Sequence, residues 1–194
     1  DANLDRQVRP IARLAIDPGV IVKSGGARIE TQIGSSLYAE GTAAKPIIFT
    51  SIFDDRYGAG GVFDTTNDAA ATSGAEGDWG GLFFGPLSIG SVDRALITFA
   101  GGSATVEGGS GVFNAVEIHQ AQVRIANSVL EHNAKGGDTS NRAGRSSSTP
   151  AVIFVRGAQP VIVNNIIQNN DTTSAVGTGT TAAISINVNA LNAQ

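Results

Sequence analysis

The chain has 194 residues with 25 glycines, 17 acidic against 13 basic side chains and a net charge of −4, a balance that leaves no basic footprint for nucleic acid. It has no cysteine, which excludes a disulfide framework, a thiolate metal site and a cysteine nucleophile, and no apolar run approaches the roughly 20 residues that a membrane span requires. Methionine is absent as well, so Asp1 reads as something other than a translation start and the chain as a segment of a longer polypeptide.

Along the chain, apolar positions recur with period two. Residues 12–16 alternate as a strand, Asp17-Pro18-Gly19 turns, residues 20–23 resume, and Ser24-Gly25-Gly26 turns again. Residues 27–33, 36–40 and 45–51 continue the series. Residues 53–78 interrupt it with a Gly- and Asp-rich insertion, and residues 79–85 re-enter, with Trp79 expected to pack the base of that insertion against the body. Residues 95–101, 125–133 and 162–170 are three copies of one degenerate pattern, in which Leu96-Ile97, Val129-Leu130 and Ile166-Ile167 are equivalent apolar pairs. A second insertion, residues 135–150, is rich in Gly, Ser and Asn and contains Arg142 and Arg145. Ile184, Ile186 and Val188 form a last strand, after which either continuation of the polypeptide beyond Gln194 or a stacked second copy is expected.

Strands this short, with turns and no helical crossovers between them, predict an all-β fold. The expected architecture is a right-handed parallel β-helix, a single-stranded solenoid of about five to seven rungs some 4.8 Å apart. It would span residues 1–194 as one domain, with insertions at 53–78 and 135–150. Phe49, Phe83, Phe84 and Phe99 are expected to stack inside the coil.

Three sets of side chains are candidates for a special role. Asn127 and Asn164, and Asn133 and Asn170, occupy equivalent turn positions of two copies, where amides can hydrogen-bond along the stacking axis; tolerance of left-handed backbone explains asparagine there equally well. Asp54, Asp55, Asp64, Asn67 and Asp68, with Asp78 at the return, bring hard oxygen ligands into one insertion and could hold calcium, although their spacing matches no EF-hand or nonapeptide repeat. Glu117 and His119 alternate along one strand and should share a face, as an acid/base pair on the rod surface or, more simply, in cross-strand polar pairing. Arg56 and Arg124 are the basic groups that a lyase would use. Asp54 and Asp55, as neighbours, should point apart and so do not form the facing carboxylates of a glycosidase. No Gly-x-Ser-x-Gly elbow or phosphate loop occurs.

Ile16-Asp17-Pro18-Gly19-Val20-Ile21-Val22-Lys23, Leu37-Tyr38-Ala39-Glu40-Gly41-Thr42, Lys45-Pro46-Ile47-Ile48-Phe49-Thr50-Ser51, Asp54-Asp55, Gly77-Asp78-Trp79-Gly80-Gly81 and the Asn-ended copies resemble the parallel β-helix repeat segments of large bacterial secreted and cell-surface proteins. The resemblance spans nearly the whole chain. It implies an adhesin-like, rod-shaped module outside the cell, without catalysis, whose partners are other segments of the same long polypeptide, a second copy stacked end to end, or a glycan or cell-surface ligand. The same fold also carries polysaccharide lyases and glycoside hydrolases, and a stacking subunit of an extracellular filament is a third expectation.

Overall fold

The computed structural model describes residues 11–106, 109–137, 148–171 and 182–187. These residues are all-β, with no helix among them. The chain repeats one itinerary five times. The first circuit is β1 (Arg13–Ile16), β2 (Ile21–Ser24) and β3 (Ile29–Thr31); the second is β4 (Ser36–Glu40), β5 (Ile47–Ser51) and β6 (Leu82–Phe84). The third is β7 (Ile89–Asp93) and β8 (Ala95–Thr98), then a hairpin of β9 (Gly102–Val106) and β10 (Gly109–Phe113), then β11 (Val116–His119). The fourth is β12 (Gln122–Ala126), β13 (Val129–Glu131) and β14 (Ala151–Arg156), and the fifth β15 (Val161–Val163), β16 (Ile166–Gln168) and β17 (Ala182–Asn187).

Three five-stranded parallel sheets result: β1-β4-β7-β12-β15 (sheet 1), β2-β5-β8-β13-β16 (sheet 2) and β3-β6-β11-β14-β17 (sheet 3). Each holds one strand of every circuit. The antiparallel β9–β10 hairpin lies outside this order and has no counterpart in the sequence reading.

Register explains the apolar alternation. In sheet 1, Ile16, Ala39, Val92, Ile125 and Ile162 align; in sheet 2, Val22, Phe49, Ile97, Leu130 and Ile167; in sheet 3, Leu82, Val116, Ile153 and Ile184. Apart from Ile184, which is exposed in the last circuit, these columns supply one buried cluster. Each fully buried Ile, Leu or Phe contributes about 1.5–3 kcal/mol of apolar transfer. Gly90 interrupts the column of Leu37 and Val123 because the Phe84 ring fills its place, and a Cβ there would overlap that ring.

Phe49 and Phe84 lie inside, as does Trp79, whose Nε1–H donates to Thr98 O at 2.9 Å. Phe83 and Phe99 do not. Phe83 aligns with Glu30 and Glu117 on the outer face of sheet 3, because odd and even positions of a strand face opposite ways. Phe99 stands at a corner with its ring 6.2 Å from that of His132.

Nine corners share one device. Arg94, Asn127 and Asn164 follow the strands of sheet 1 with φ of 49°, 50° and 56°; Phe99, His132 and Asn169 follow those of sheet 2 at 60°, 54° and 52°; Leu87, Gln120 and Gly157 lie between sheets 3 and 1 at 59°, 51° and 59°. One left-handed residue turns the chain while its N–H still points along the stack. Arg94 N–H reaches Ala126 O at 3.1 Å, His132 N–H reaches Asn169 O at 3.1 Å and Leu87 N–H reaches Gln120 O at 3.0 Å. The ladder therefore continues around each corner. Asn and Gly accept this backbone readily, whereas Leu87 does not.

Leu87 is 69% exposed and makes no core contact that would offset its strain. Leu87→Asn is expected to stabilise the fold by roughly 1 kcal/mol and to raise Tm by about 2–4 °C. A thermal melt with an unchanged or lower Tm would show that this corner carries no strain.

Candidate functional site

The candidate residues fall into three places. The first is the corner ladder between sheets 2 and 3. Asn133 is fully buried: its Oδ1 accepts from Ala100 N–H at 2.9 Å, while its Nδ2 donates to Ile97 O at 3.0 Å and to Asn170 Oδ1 at 2.9 Å. Asn170 Oδ1 also accepts from Asn133 N–H at 3.0 Å, and its Nδ2 donates to Leu130 O at 3.0 Å. Each amide thus links two circuits. Asn164 Nδ2 donates to Asn127 Oδ1 at 2.6 Å on the exposed corner between sheets 1 and 2, where both residues also have left-handed backbone.

The adjoining column, Ser128 and Asn165, was missed by the sequence reading. Ala95 N–H donates to Ser128 Oγ at 3.1 Å, and Ser128 N–H to Asn165 Oδ1 at 2.9 Å. The signal was present, since Ser128 and Asn165 are equivalent positions of the two repeat copies.

The second place is the insertion between β5 and β6. Asp54 points inward and away from the other acids, to Arg56 at 2.8 Å and Thr50 Oγ1 at 2.5 Å. Burial pushes its carboxyl up, but the bonds from Arg56 and Thr50 outweigh this and hold it below the usual carboxylate range. Asp55, Asp64 and Asp68 converge, with one oxygen of each within 4.8 Å of the others. Asn67 joins them through its main chain, donating N–H to Asp64 Oδ1 at 2.7 Å.

By number and kind, these three carboxylates could hold a hard cation. Their oxygens are also engaged by the loop itself. Asp64 accepts from the N–H groups of Gly60, Thr66, Asn67 and Ala69, and Asp55 accepts from Thr72 N–H at 2.9 Å. For Asp64, desolvation acts upward, but the N–H groups of Asn67, Ala69 and Gly60 and the Thr66 hydroxyl together prevail and lower its pKa to about 2. Beside the loop lies a groove of about 430 Å³ lined by Ile21, Lys23, Tyr57, Val62, Phe63 and Thr65, with Lys23 Nζ bonded to Tyr57 O at 2.8 Å.

The third place is the outer face of sheet 3. Glu117 and His119 are 1% and 5% exposed, and His119 Nε2 lies 2.9 Å from Glu117 Oε2. Glu117 Oε1 accepts from Asn114 N–H at 3.0 Å. The imidazole sits between Phe83 and Phe154, at 4.9 and 5.6 Å. Across from Phe83, the Arg28 guanidinium lies 4.2 Å from that ring and 4.1 Å from Phe113 of the hairpin.

Asn114, which no sequence pattern marked, ties this face to the second insertion: its Oδ1 accepts from Gly136 and Ala151 N–H, both at 2.8 Å. Residues 138–147 of that insertion, with Arg142 and Arg145, lie outside the described residues, as do Val188 and Gln194. The two arginines that a lyase would use are engaged, Arg56 with Asp54 and Arg124 with Asp93 at 2.5 Å.

Compared with protein-family models, with curated proteins and with solved structures, the chain matches none.

Two measurements follow from this geometry. Asn133→Ala leaves Ala100 N–H without its acceptor in a buried corner and should cost about 2–4 kcal/mol, against about 1 kcal/mol for Asn164→Ala at the exposed corner; equal losses in chemical denaturation would contradict a buried amide ladder. Because Asp64 is depressed, the contribution of its ionised form is complete above its ordinary pKa and is lost as pH falls through about 2. The amide NMR shifts of Gly60, Asn67 and Ala69 should then titrate together with a midpoint near that value, and Asp64→Asn should abolish the shared transition.

Proposed function

We propose that the chain is a right-handed parallel β-helix serving as a stiff structural or adhesive module of an exported bacterial surface protein, with no catalysis of its own. The observation that carries this reading is the cyclic order of the three parallel sheets, joined by hydrogen bonds that run through the corners. Stacked circuits tied at every edge resist bending and need no active site to act as a spacer. The β5–β6 insertion would supply the contact surface, since Val62 and Phe63 are exposed beside Tyr57 and Lys23 in a form suited to a glycan or a cell-surface ligand. Calcium at Asp55, Asp64 and Asp68 would fix the shape of that surface and take no part in chemistry.

The state of the ionisable groups supports the non-catalytic reading. Glu117 and His119 are buried and hydrogen-bonded to each other, and Arg56 and Arg124 are held in ion pairs. A general acid or base must reach the proton that it transfers.

The test is incubation with a panel of neutral and acidic polysaccharides, with calcium and with chelator, following reducing ends and unsaturated uronate absorbance. No turnover on polymers that control enzymes degrade is expected. Turnover that Glu117→Gln abolishes would replace the structural reading with that of a carbohydrate-active enzyme.

A further inference from the structure

From the third circuit onward, successive circuits are joined by side-chain oxygens of the later circuit that accept from main-chain N–H groups of the earlier one. The second and third circuits instead have Ile47 and Ile52, and Ala95 and Ala100, at those positions, and Ile47 N–H is met by Arg94 O. Between sheets 1 and 2 the acceptors are Ser128 and Asn165; between sheets 2 and 3 they are Asn133 and Asn170. The main chain adds Asn127 N–H to Val163 O and His132 N–H to Asn169 O, both at 3.1 Å. In the fifth circuit the equivalent donors are the N–H groups of Asn164, Asn165, Asn169 and Asn170. None of them meets an acceptor among the described residues. Beside them Ile186 is 56% exposed, whereas Val155, its partner in the fourth circuit, is 1% exposed.

The spacing of the acceptors is fixed. Ser128-Val-Leu-Glu-His-Asn133 and Asn165-Ile-Ile-Gln-Asn-Asn170 each place a side-chain oxygen at the first and sixth positions around an apolar pair. We infer that the fifth-circuit edge is a docking site for a further parallel β-segment of this pattern, with Asn, Asp, Ser or Thr at both positions, and that a second copy of this chain does not fill it. The register of Ile21, Ile48, Leu96, Val129 and Ile166 puts Val20 in line with Asn165. The register of Val22, Phe49, Ile97, Leu130 and Ile167 puts Gly25 in line with Asn170. Neither Val20 nor Gly25 has a side-chain oxygen. A head-to-tail copy would therefore bring no side-chain acceptor to the Asn165 and Asn170 donors, unlike the fourth and fifth circuits, and this favours a segment that carries both.

The inference rests on reading the chain as a stack of circuits, and its test is separate from the polysaccharide assay. The probe is a labelled peptide of residues 161–171, which bears both acceptors, titrated into the full chain with hydrogen exchange read at single amides. It should slow exchange at Asn164, Asn165, Asn169 and Asn170. The same peptide with Asn165→Ala and Asn170→Ala should bind at least tenfold more weakly, and a peptide of residues 16–26 should give no protection. Three results would overturn the inference: no protection at millimolar peptide, equal binding by the alanine peptide or by residues 16–26, or self-association of the chain that slows the same four amides. Polysaccharide turnover would remove the non-catalytic reading and leave this edge intact, while failure at the edge leaves the spacer role standing.

Discussion

The rest of the structure depends on one constraint: the hydrogen-bond ladder must pass around each corner without a break. A single left-handed residue achieves this at Arg94, Asn127 and Asn164, at Phe99, His132 and Asn169, and at Leu87, Gln120 and Gly157. Because only one residue at each of these corners takes the left-handed backbone, consecutive strands stay close, and these circuits present their N–H and C=O groups in the same direction. Insertions are tolerated only where the chain can leave after the ladder has been served. Those between β5 and β6, β8 and β11, and β13 and β14 all depart at the corner between sheets 2 and 3. In the third and fourth circuits they depart beyond Ala100 and Asn133, whose N–H groups are already bonded to the next circuit. The excursions are thereby confined to one edge of the stack, and the other two corners stay short.

Side-chain amides extend the same logic. The corner leaves main-chain groups that a strand partner cannot reach, and an Asn or Ser of the next circuit reaches them instead. Burial decides how much each contributes, since an unmet donor in a dry corner costs its full desolvation while one at an exposed corner can turn to water. Asn133 is in the first situation and Asn164 in the second. A residue type that looks uniform in sequence therefore does two jobs, one as a buried connector and one as a tolerant turn.

Much of this order was legible in the sequence. The period-two alternation, the repeat of 125–133 in 162–170 and the turn dipeptides gave strands, their parallel stacking and the pairing of Asn127 with Asn164 and of Asn133 with Asn170, because those signals are local and repeat in register. What the sequence concealed depends on which elements cover which face. Phe83 and Phe84 are neighbours of equal hydrophobicity, yet one fills the space left by Gly90 inside and the other faces outward under Arg28. Leu87, Phe99 and Arg94 hold left-handed backbone against their own preference, so no residue-type rule marks them. The β9–β10 hairpin is built mostly from Gly, Ser, Ala and Thr, with Val and Phe only at its strand ends and so little apolar alternation, and Asn114 is a lone asparagine whose importance comes from two segments far along the chain.

One criterion sorts the candidate sites, namely whether their polar atoms are already engaged by the protein. The carboxylate of Asp64 serves four N–H groups of its own loop, Glu117 serves His119 and Asn114, and Arg56 and Arg124 serve Asp54 and Asp93. Groups committed in this way stabilise and shape the molecule, and substrate chemistry there would have to break those contacts first. The donors of the fifth circuit are in the opposite condition, ordered by the strands behind them and with no acceptor among the described residues. A preorganised row of unmet donors beside exposed apolar side chains is the arrangement by which a sheet edge recruits another strand. Among the described residues, these uncommitted donors thus lie at the edge of the stack, and its large exposed apolar side chains include Val62 and Phe63 of the insertion.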